Sequence, residues 1–164
     1  MPLVKKWIKD TIDFDIDEGD MRLGSDFLMI WSIFEESYSE TGFGLQLIRN
    51  DKTQKELTLV EDSIPSLNNL FVYFYDRYQD QSKLRDLKGK VKHNSTFIEE
   101  ILKKDKSLIT IEEKVTLLLY VVFRYRNNMF HGSKALKDWA SIYKIQINKC
   151  IDALMLLYGN LKFV

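Results

Sequence analysis

The stretch that constrains the fold most strongly reads Val115-Thr116-Leu117-Leu118-Leu119-Tyr120-Val121-Val122-Phe123. A helix that is apolar on all sides is one that other elements surround in the folded protein. Thr110 and Glu113 form a capping-box pattern just before it, which predicts where this helix begins. Gly132 suits the left-handed conformation that follows many helix ends. The sequence therefore predicts a central helix from about residue 110 to about residue 131.

Two helices are predicted on the N-terminal side of this central segment. Between residues 25 and 38, large apolar side chains recur at helical spacing: they are Phe27, Leu28, Trp31, Phe34 and Tyr38. The second helix starts near Ser63, because Pro65 is tolerated in a first helical turn, and its aromatic residues continue to Tyr78. Between the two helices, residues 45–60 contain two short apolar runs that predict either a small hairpin or a loop packed on the helices.

Two more helices are predicted on either side of the central one along the chain. Thr96 and Glu99 repeat the capping-box pattern and predict a short helix. A last helix is predicted over residues 135–159, from apolar side chains at helical spacing. Residues 82–94 are polar and predict a connector. The expected fold is therefore an all-α, compact bundle of about five helices in a single domain spanning residues 1–164.

Composition and charge narrow the class of protein. The chain has 164 residues, of which 45% are hydrophobic, enough to bury a core and to argue against disorder. Its 24 basic and 24 acidic residues give a formal net charge of zero. This balance argues against a protein that coats nucleic acid by bulk electrostatics, but it is compatible with a local phosphate site.

The sequence indicates a cytoplasmic protein that needs no metal or other cofactor. The single cysteine, Cys150, cannot form an internal disulfide, and its place in an amphipathic helix favours a core position. The two histidines, His93 and His131, are far apart in sequence, whereas metal ligands usually cluster. The acidic run from Asp10 to Asp20 does not match the spacing of an EF-hand loop. We expect neither secretion nor membrane insertion, because every apolar run is too short to span a bilayer.

The best candidate for a chemical site lies at the end of the central helix, where residues 123–132 read Phe-Arg-Tyr-Arg-Asn-Asn-Met-Phe-His-Gly. A guanidinium and an imidazole held together can bind a phosphate and transfer a proton. On an ideal helix Arg126 points away from His131, whereas Arg124 shares its face, so both arginines are candidates. A structural interpretation is also open, because cations stabilise the carboxyl end of a helix.

The segment from Arg126 to His131 resembles the signature of the HEPN superfamily, in which an arginine, often followed by a polar residue, precedes a histidine by a few positions. Members of that family are compact helical bundles with this motif near the end of a late core helix. The resemblance implies a metal-independent endoribonuclease, usually a homodimer with a composite active site. It also implies that His131 performs acid and base catalysis, that Arg126 stabilises the phosphate, and that Asn127 orients the phosphate or the histidine.

Further residues are candidates for the same site. Some HEPN branches place an acidic residue of the first core helix near the motif, which suggests Glu35, although an exposed glutamate beside Glu36 fits the pattern equally well. The basic run from Lys83 to Lys92 is either a solvated surface or a secondary contact for a polyanion. The candidate RNA contacts are Arg124, Lys134, Lys88 and Lys90.

Two other functions stay open at this point. Many HEPN-like domains serve as binding or assembly modules, some as partners of a nucleotidyltransferase in toxin–antitoxin systems. In that interpretation Arg126 and His131 bind an anion or the partner, and the aromatic helix around residues 71–78 supplies the interface. The other possibility is a purely structural helical domain in which the motif caps a helix. For the nuclease interpretation, we expect a biological role in a toxin–antitoxin system or in phage defence.

Overall fold

The apolar runs of the sequence form helices, and further helical segments occur beside them. The computed structural model describes residues 2–39, 57–89, 95–130 and 136–163. In those ranges it contains eight α-helices and one two-stranded sheet. The helices are α1 (Pro2–Ile12), α2 (Glu18–Ser39), α3 (Ile64–Arg77), α4 (Gln81–Lys88), α5 (Thr96–Lys103), α6 (Ile111–Phe130), α7 (Leu136–Ser141) and α8 (Lys144–Leu157); the strands are β1 (Leu57–Leu59) and β2 (Leu161–Phe163).

This architecture confirms the all-α class, although the helices outnumber the five expected. Helix α3 begins one residue after Ser63, with Pro65 in its first turn, as the sequence predicts. Across the described ranges, no helix combines the length and the apolar character needed to cross a membrane.

Helix α6 is the centre of the fold, as its apolar middle predicts. Its N-terminus has the expected reciprocal cap: the Thr110 amide donates to the Glu113 carboxylate (3.0 Å), and the Glu113 amide donates to Thr110 Oγ1 (3.2 Å). Leu117, Leu118 and Val121 are completely buried. Helices α3, α4, α5 and α8 all pack against α6, so its C-terminal turns are supported by several elements.

The single helix predicted over residues 135–159 is wrong in one respect, because a turn divides it into α7 and α8. The backbone amides of Ile142 and Tyr143 both donate to the Asp138 carbonyl, at 2.7 and 3.2 Å. Ile142 and Ile145 continue the apolar spacing of the segment, yet they are 63% and 62% exposed. The apolar pattern hid the turn because these two side chains resemble core residues in sequence without being buried.

Helix α4 (Gln81–Lys88) covers the first part of residues 82–94, so the prediction of a connector is wrong there. The Asp80 side chain caps this helix by accepting from two backbone amides of its first turn, at 2.9 and 3.1 Å. Leu84 and Leu87 are its buried residues. With only two apolar side chains, so short a helix has almost no periodic signal, although burial of those two side chains attaches it to the bundle.

Helix α1 adds a further element in the N-terminal region, for which no helix was predicted. Ion pairs one turn apart join Lys6 to Asp10 (2.7 Å) and Lys9 to Asp13 (2.6 Å) along its surface. Ile8 is its buried residue and belongs to a small cluster with α7, separate from the main core. Since exposed pairs of this kind contribute little, the helix depends on that small cluster for its place in the fold.

The apolar run at residues 57–60 contains β1, which pairs antiparallel with β2 near the end of the chain. Leu57 lies opposite Phe163, and Leu59 lies opposite Leu161. The other run, residues 45–48, lies outside the described residues, so the hairpin between the two runs stays a prediction.

Helix α5 occupies the segment in which a short helix was predicted. Its cap differs by one position, because Thr96 is the first helical residue and Ser95 precedes it as the N-cap. Thr96 is therefore not the N-cap that the capping-box pattern predicted, and the Ser95 side chain forms no capping hydrogen bond.

Candidate functional site

The last turns of α6 carry two arginines, Arg124 and Arg126, whose side chains enter different surroundings. Each residue of an α-helix turns the chain by about 100°, so positions two apart lie about 200° apart around the axis. Arg124 faces the end of α4, whereas Arg126 faces α2. The sequence left both arginines as candidates, and their contacts now separate them.

Arg124 is only 3% exposed, and it holds the C-terminal end of α4. Its Nε donates to the Leu87 carbonyl (3.0 Å), and its Nη2 donates to the Lys88 carbonyl (2.9 Å) and to Asn128 Oδ1 (3.1 Å). The last carbonyls of a helix have no partner within the helix, and here a guanidinium from α6 supplies one. Burial lowers the pKa of Arg124, but a guanidinium stays charged in proteins.

Gly89 allows the chain to leave α4 close to Arg124. Its φ is +65°, and a Cβ at this position would lie 2.9 Å from Arg124 Nη2. Any side chain here would be both strained and crowded. Since the guanidinium is enclosed by α4 and α6, the position of Arg124 argues against its predicted contact with RNA and favours a structural role.

Arg126 lies against an aromatic ring instead of a helix end. Its Cζ is 5.8 Å from the centre of the Trp31 ring, within the range of a cation–π interaction. Its Nη1 donates to Asn127 Oδ1 at 2.9 Å. Both Arg126 and Asn127 are partly exposed. The two residues that the motif assigns to phosphate chemistry are therefore in contact with each other near the surface.

Glu35, the predicted acidic partner, reaches the same place through Trp31. The indole Nε1 of Trp31 donates to Glu35 Oε2 at 3.1 Å across one turn of α2. Trp31, Glu35, Arg126 and Asn127 together form one connected group, here called the Trp31 cluster. Three of its members were candidates from sequence, while Trp31 was assigned only to the core stripe of its helix.

A sequence signal for Trp31 existed but was not specific. Trp31 and Glu35 are four residues apart, the spacing at which helical side chains meet, and tryptophan is the aromatic residue that binds cations best. Neither property points to α6. Only the packing of Trp31 beside Phe123, with ring centres 6.3 Å apart, places the indole next to the motif.

His131 follows α6 directly but lies outside the described residues, as do Lys134, Lys90 and His93. Their assigned roles therefore stay predictions. The helix is regular through Phe130, so Arg126 lies in its last turns, as the sequence predicts.

Lys88, another candidate RNA contact, forms an ion pair with Glu99 of α5. The side chains of Lys88 and Glu99 are 29% and 37% exposed. The hydrogen bond and the charge of Lys88 lower the pKa of Glu99. The ammonium group therefore links the end of α4 to α5, and an RNA phosphate at this point would have to compete with a carboxylate.

The acidic run extends from α1 through the segment 13–17 to the start of α2 and is not gathered around one point. Asp10 and Asp13 pair with lysines of α1. The Asp17 carboxylate accepts from the Asp20 amide (2.8 Å), and the Asp20 carboxylate pairs with Lys144 of α8 (2.6 Å). Within the part of the chain that the structure describes, no group of three His, Cys, Asp or Glu side chains could hold a metal ion.

Two other sequence predictions concern buried residues. Cys150 is completely buried, as predicted, and burial raises the pKa of its thiol well above the usual range.

The aromatic side chains predicted as an interface at residues 71–78 lie mostly in the core. Phe71, Phe74 and Tyr75 of α3 and Tyr78, which follows this helix, are all buried. These four side chains pack within the chain, while an interface formed by the remaining side chains of α3 stays a prediction.

The chain was compared with models of protein families, with curated proteins and with solved structures, and none of them matches it.

Proposed function

We propose that this chain is a metal-independent endoribonuclease of HEPN type. The observation that carries the proposal is the position of Arg126 in the Trp31 cluster. A partly exposed guanidinium, an amide and a carboxylate lie together in the last turns of α6 and the adjoining part of α2. The motif histidine, His131, follows immediately in sequence. An imidazole can accept and donate a proton at a phosphate ester, and a guanidinium can stabilise the charge that develops there.

The proposed chemistry uses the RNA itself as the nucleophile. The neutral imidazole of His131 accepts the proton of a ribose 2′-hydroxyl, whose oxygen then forms a bond to the adjacent phosphorus. The bond from phosphorus to the 5′-oxygen breaks, and an imidazolium donates a proton to that departing oxygen. The products carry 2′,3′-cyclic phosphate and 5′-hydroxyl ends.

Arg126 stabilises the charge that develops on the phosphate during this reaction. A planar guanidinium presents paired donors that match phosphate oxygens. The Asn127 amide orients the guanidinium or the phosphate, and Glu35 is the acidic residue of the Trp31 cluster. The proposal further includes a homodimer in which two motifs share one cleft, and a cytoplasmic role in a toxin–antitoxin system or in phage defence.

The test is cleavage of RNA by the purified protein in excess EDTA. The parent chain should cleave, and both His131→Ala and Arg126→Ala should lose activity while remaining folded. Arg22→Ala is the matched control, because Arg22 is an exposed arginine of α2 that no part of the proposal uses. Equal activity in all four proteins would indicate a contaminating nuclease and would remove the catalytic claim.

Product analysis separates the proposal from its alternative. Fragments ending in 2′,3′-cyclic phosphate support attack by the 2′-hydroxyl, whereas fragments ending in a 5′-phosphate contradict it. RNA binding without cleavage by a folded protein would favour a non-catalytic binding module, for example the partner of a nucleotidyltransferase.

A further inference from the structure

We infer that Trp31 is a positioning residue of the proposed site, holding the Arg126 guanidinium on its ring and the Glu35 carboxylate at its edge. This inference rests on the proposed function, because it assigns Arg126 to phosphate binding. Trp31 would not contact the substrate. It would act through the two polar side chains on either side of it.

The first step of the argument is that the indole is fixed. Trp31 is only 9% exposed. Its ring contacts Phe34 of its own helix and Phe123 of α6, with ring centres 6.2 and 6.3 Å apart. The only polar atom of the indole, Nε1, donates a hydrogen bond to Glu35. A side chain that packs against two neighbouring rings and donates through its only polar atom has few alternative orientations.

The second step concerns what a fixed indole does for Arg126. An arginine side chain is long and flexible, and ordering it when a ligand binds weakens affinity. A ring 5.8 Å from Arg126 Cζ attracts the guanidinium and orders it before the ligand arrives. Asn127 orders it further through Nη1. The guanidinium is then oriented before a phosphate binds.

The third step concerns Glu35. Among the residues that the structure describes, the Glu35 carboxylate forms its hydrogen bond with the indole and no ion pair with Arg126. By accepting from Nε1, the Glu35 carboxylate is fixed at the edge of the same ring that Arg126 contacts. Trp31 therefore orients both polar side chains of the cluster.

The experiment is a double-mutant cycle between Trp31 and Arg126, read as affinity for a short RNA whose 2′-hydroxyls are methylated. This probe cannot be cleaved by 2′-hydroxyl attack, so binding is measured apart from catalysis. Trp31→Leu should weaken binding by about tenfold, a value between those of an exposed and a desolvated cation–π contact. Trp31→Phe keeps a ring but lacks the donor to Glu35, so its affinity should lie between those of the parent and Trp31→Leu.

The decisive comparison is made in the Arg126→Ala background. Trp31→Leu should have no further effect on binding there, because the group it positions is gone. A tenfold loss that persists in this background would overturn the inference, and so would a Trp31→Phe protein that binds as poorly as Trp31→Leu. Thermal unfolding of every variant establishes that it is folded. If Trp31→Leu does not fold, Trp31→Met replaces it, since methionine is flexible enough to fill the space and lacks a ring.

Cleavage of the unmodified RNA in EDTA runs alongside this cycle and separates the two proposals. If the parent protein binds the methylated probe and shows the coupling but cleaves no RNA, the positioning role of Trp31 is supported and the nuclease proposal is contradicted. If the parent protein cleaves RNA and the two substitutions have additive effects on binding, the nuclease proposal is supported and the positioning role of Trp31 is contradicted. A folded parent that neither binds nor cleaves would overturn both.

Discussion

Arg124 and Arg126 stand two residues apart on the same helix and have opposite surroundings. Arg124 is buried and donates three hydrogen bonds, two of them to the carbonyls that end α4. Arg126 is partly exposed and lies on the ring of Trp31 beside Asn127. The comparison shows that two guanidinium groups on one helix have different surroundings when different elements pack against the two faces of that helix.

The largest expected effect is the loss of catalysis on the Arg126 face. Arg126→Ala should lower the rate of RNA cleavage by about 100- to 1,000-fold, the usual result of removing one donor that stabilises a developing negative charge. The free energy of unfolding should change little, because this side chain is partly exposed. Single-turnover cleavage in EDTA measures the first quantity, and urea unfolding measures the second. Undiminished cleavage would assign Arg126 to the fold and remove the contrast between the two arginines.

The next largest effect is expected on the Arg124 face, and it concerns stability. Arg124→Met should lower the free energy of unfolding by about 3 kcal/mol, because it leaves buried carbonyls and the Asn128 side chain without their charged donor. Cleavage by the molecules that remain folded should be near that of the parent. Urea unfolding with activity measured at low temperature checks both parts. A stable Arg124→Met protein without activity would instead put Arg124 in the site.

A smaller effect on the free energy of unfolding is expected at Gly89, where the chain passes close to Arg124. Gly89→Ala should lower the free energy of unfolding by about 2 kcal/mol, the typical cost of forcing a side chain into a backbone region suited to glycine. Part of this loss is crowding against Arg124 Nη2. In the Arg124→Met background the loss should therefore be smaller. Equal losses in both backgrounds would show that backbone strain alone is responsible.

The smallest expected effect concerns the ion pair of Lys88 and Glu99 and depends on pH. The pKa of Glu99 is lowered in the folded protein, so the pair contributes stability above the unfolded pKa of a glutamate, about 4.3. That contribution is lost as the pH falls through the lowered folded pKa. Because both side chains are substantially exposed, Lys88→Met should cost at most about 1 kcal/mol at pH 7. Urea unfolding of parent and variant should therefore converge at acid pH, and a difference independent of pH would exclude the ion pair as its source.

Elements that depend on neighbouring residues were predicted well. The apolar middle of α6 and its capping box at Thr110 and Glu113 both appear as the pattern indicates. The reason is that helical periodicity and capping act over one or two turns, so the sequence contains the whole interaction. The helix after Ser63 follows the same rule, because Pro65 acts within its first turn.

Elements that depend on distant contacts were missed or misread. Helix α4 has two buried leucines, and its last carbonyls accept from Arg124, more than thirty positions later in the sequence. The turn between α7 and α8 interrupts no apolar pattern, because Ile142 and Ile145 are exposed despite their hydrophobic side chains. The contact at α4 involves an element elsewhere in the fold, whereas the turn was missed because apolar spacing does not reveal which side chains are exposed.

The sequence by itself determined the helical class, the central place of α6 and the position of the motif near the end of that helix, because all three follow from patterns within a few turns. It could not determine which arginine is enclosed and which lies near the surface, since that depends on where α2 and α4 pack around α6. The tertiary structure decided it by placing the end of α4 against Arg124 and the ring of Trp31 against Arg126. Burial and cation–π contact are properties of packing, and packing joins residues that are far apart in the chain.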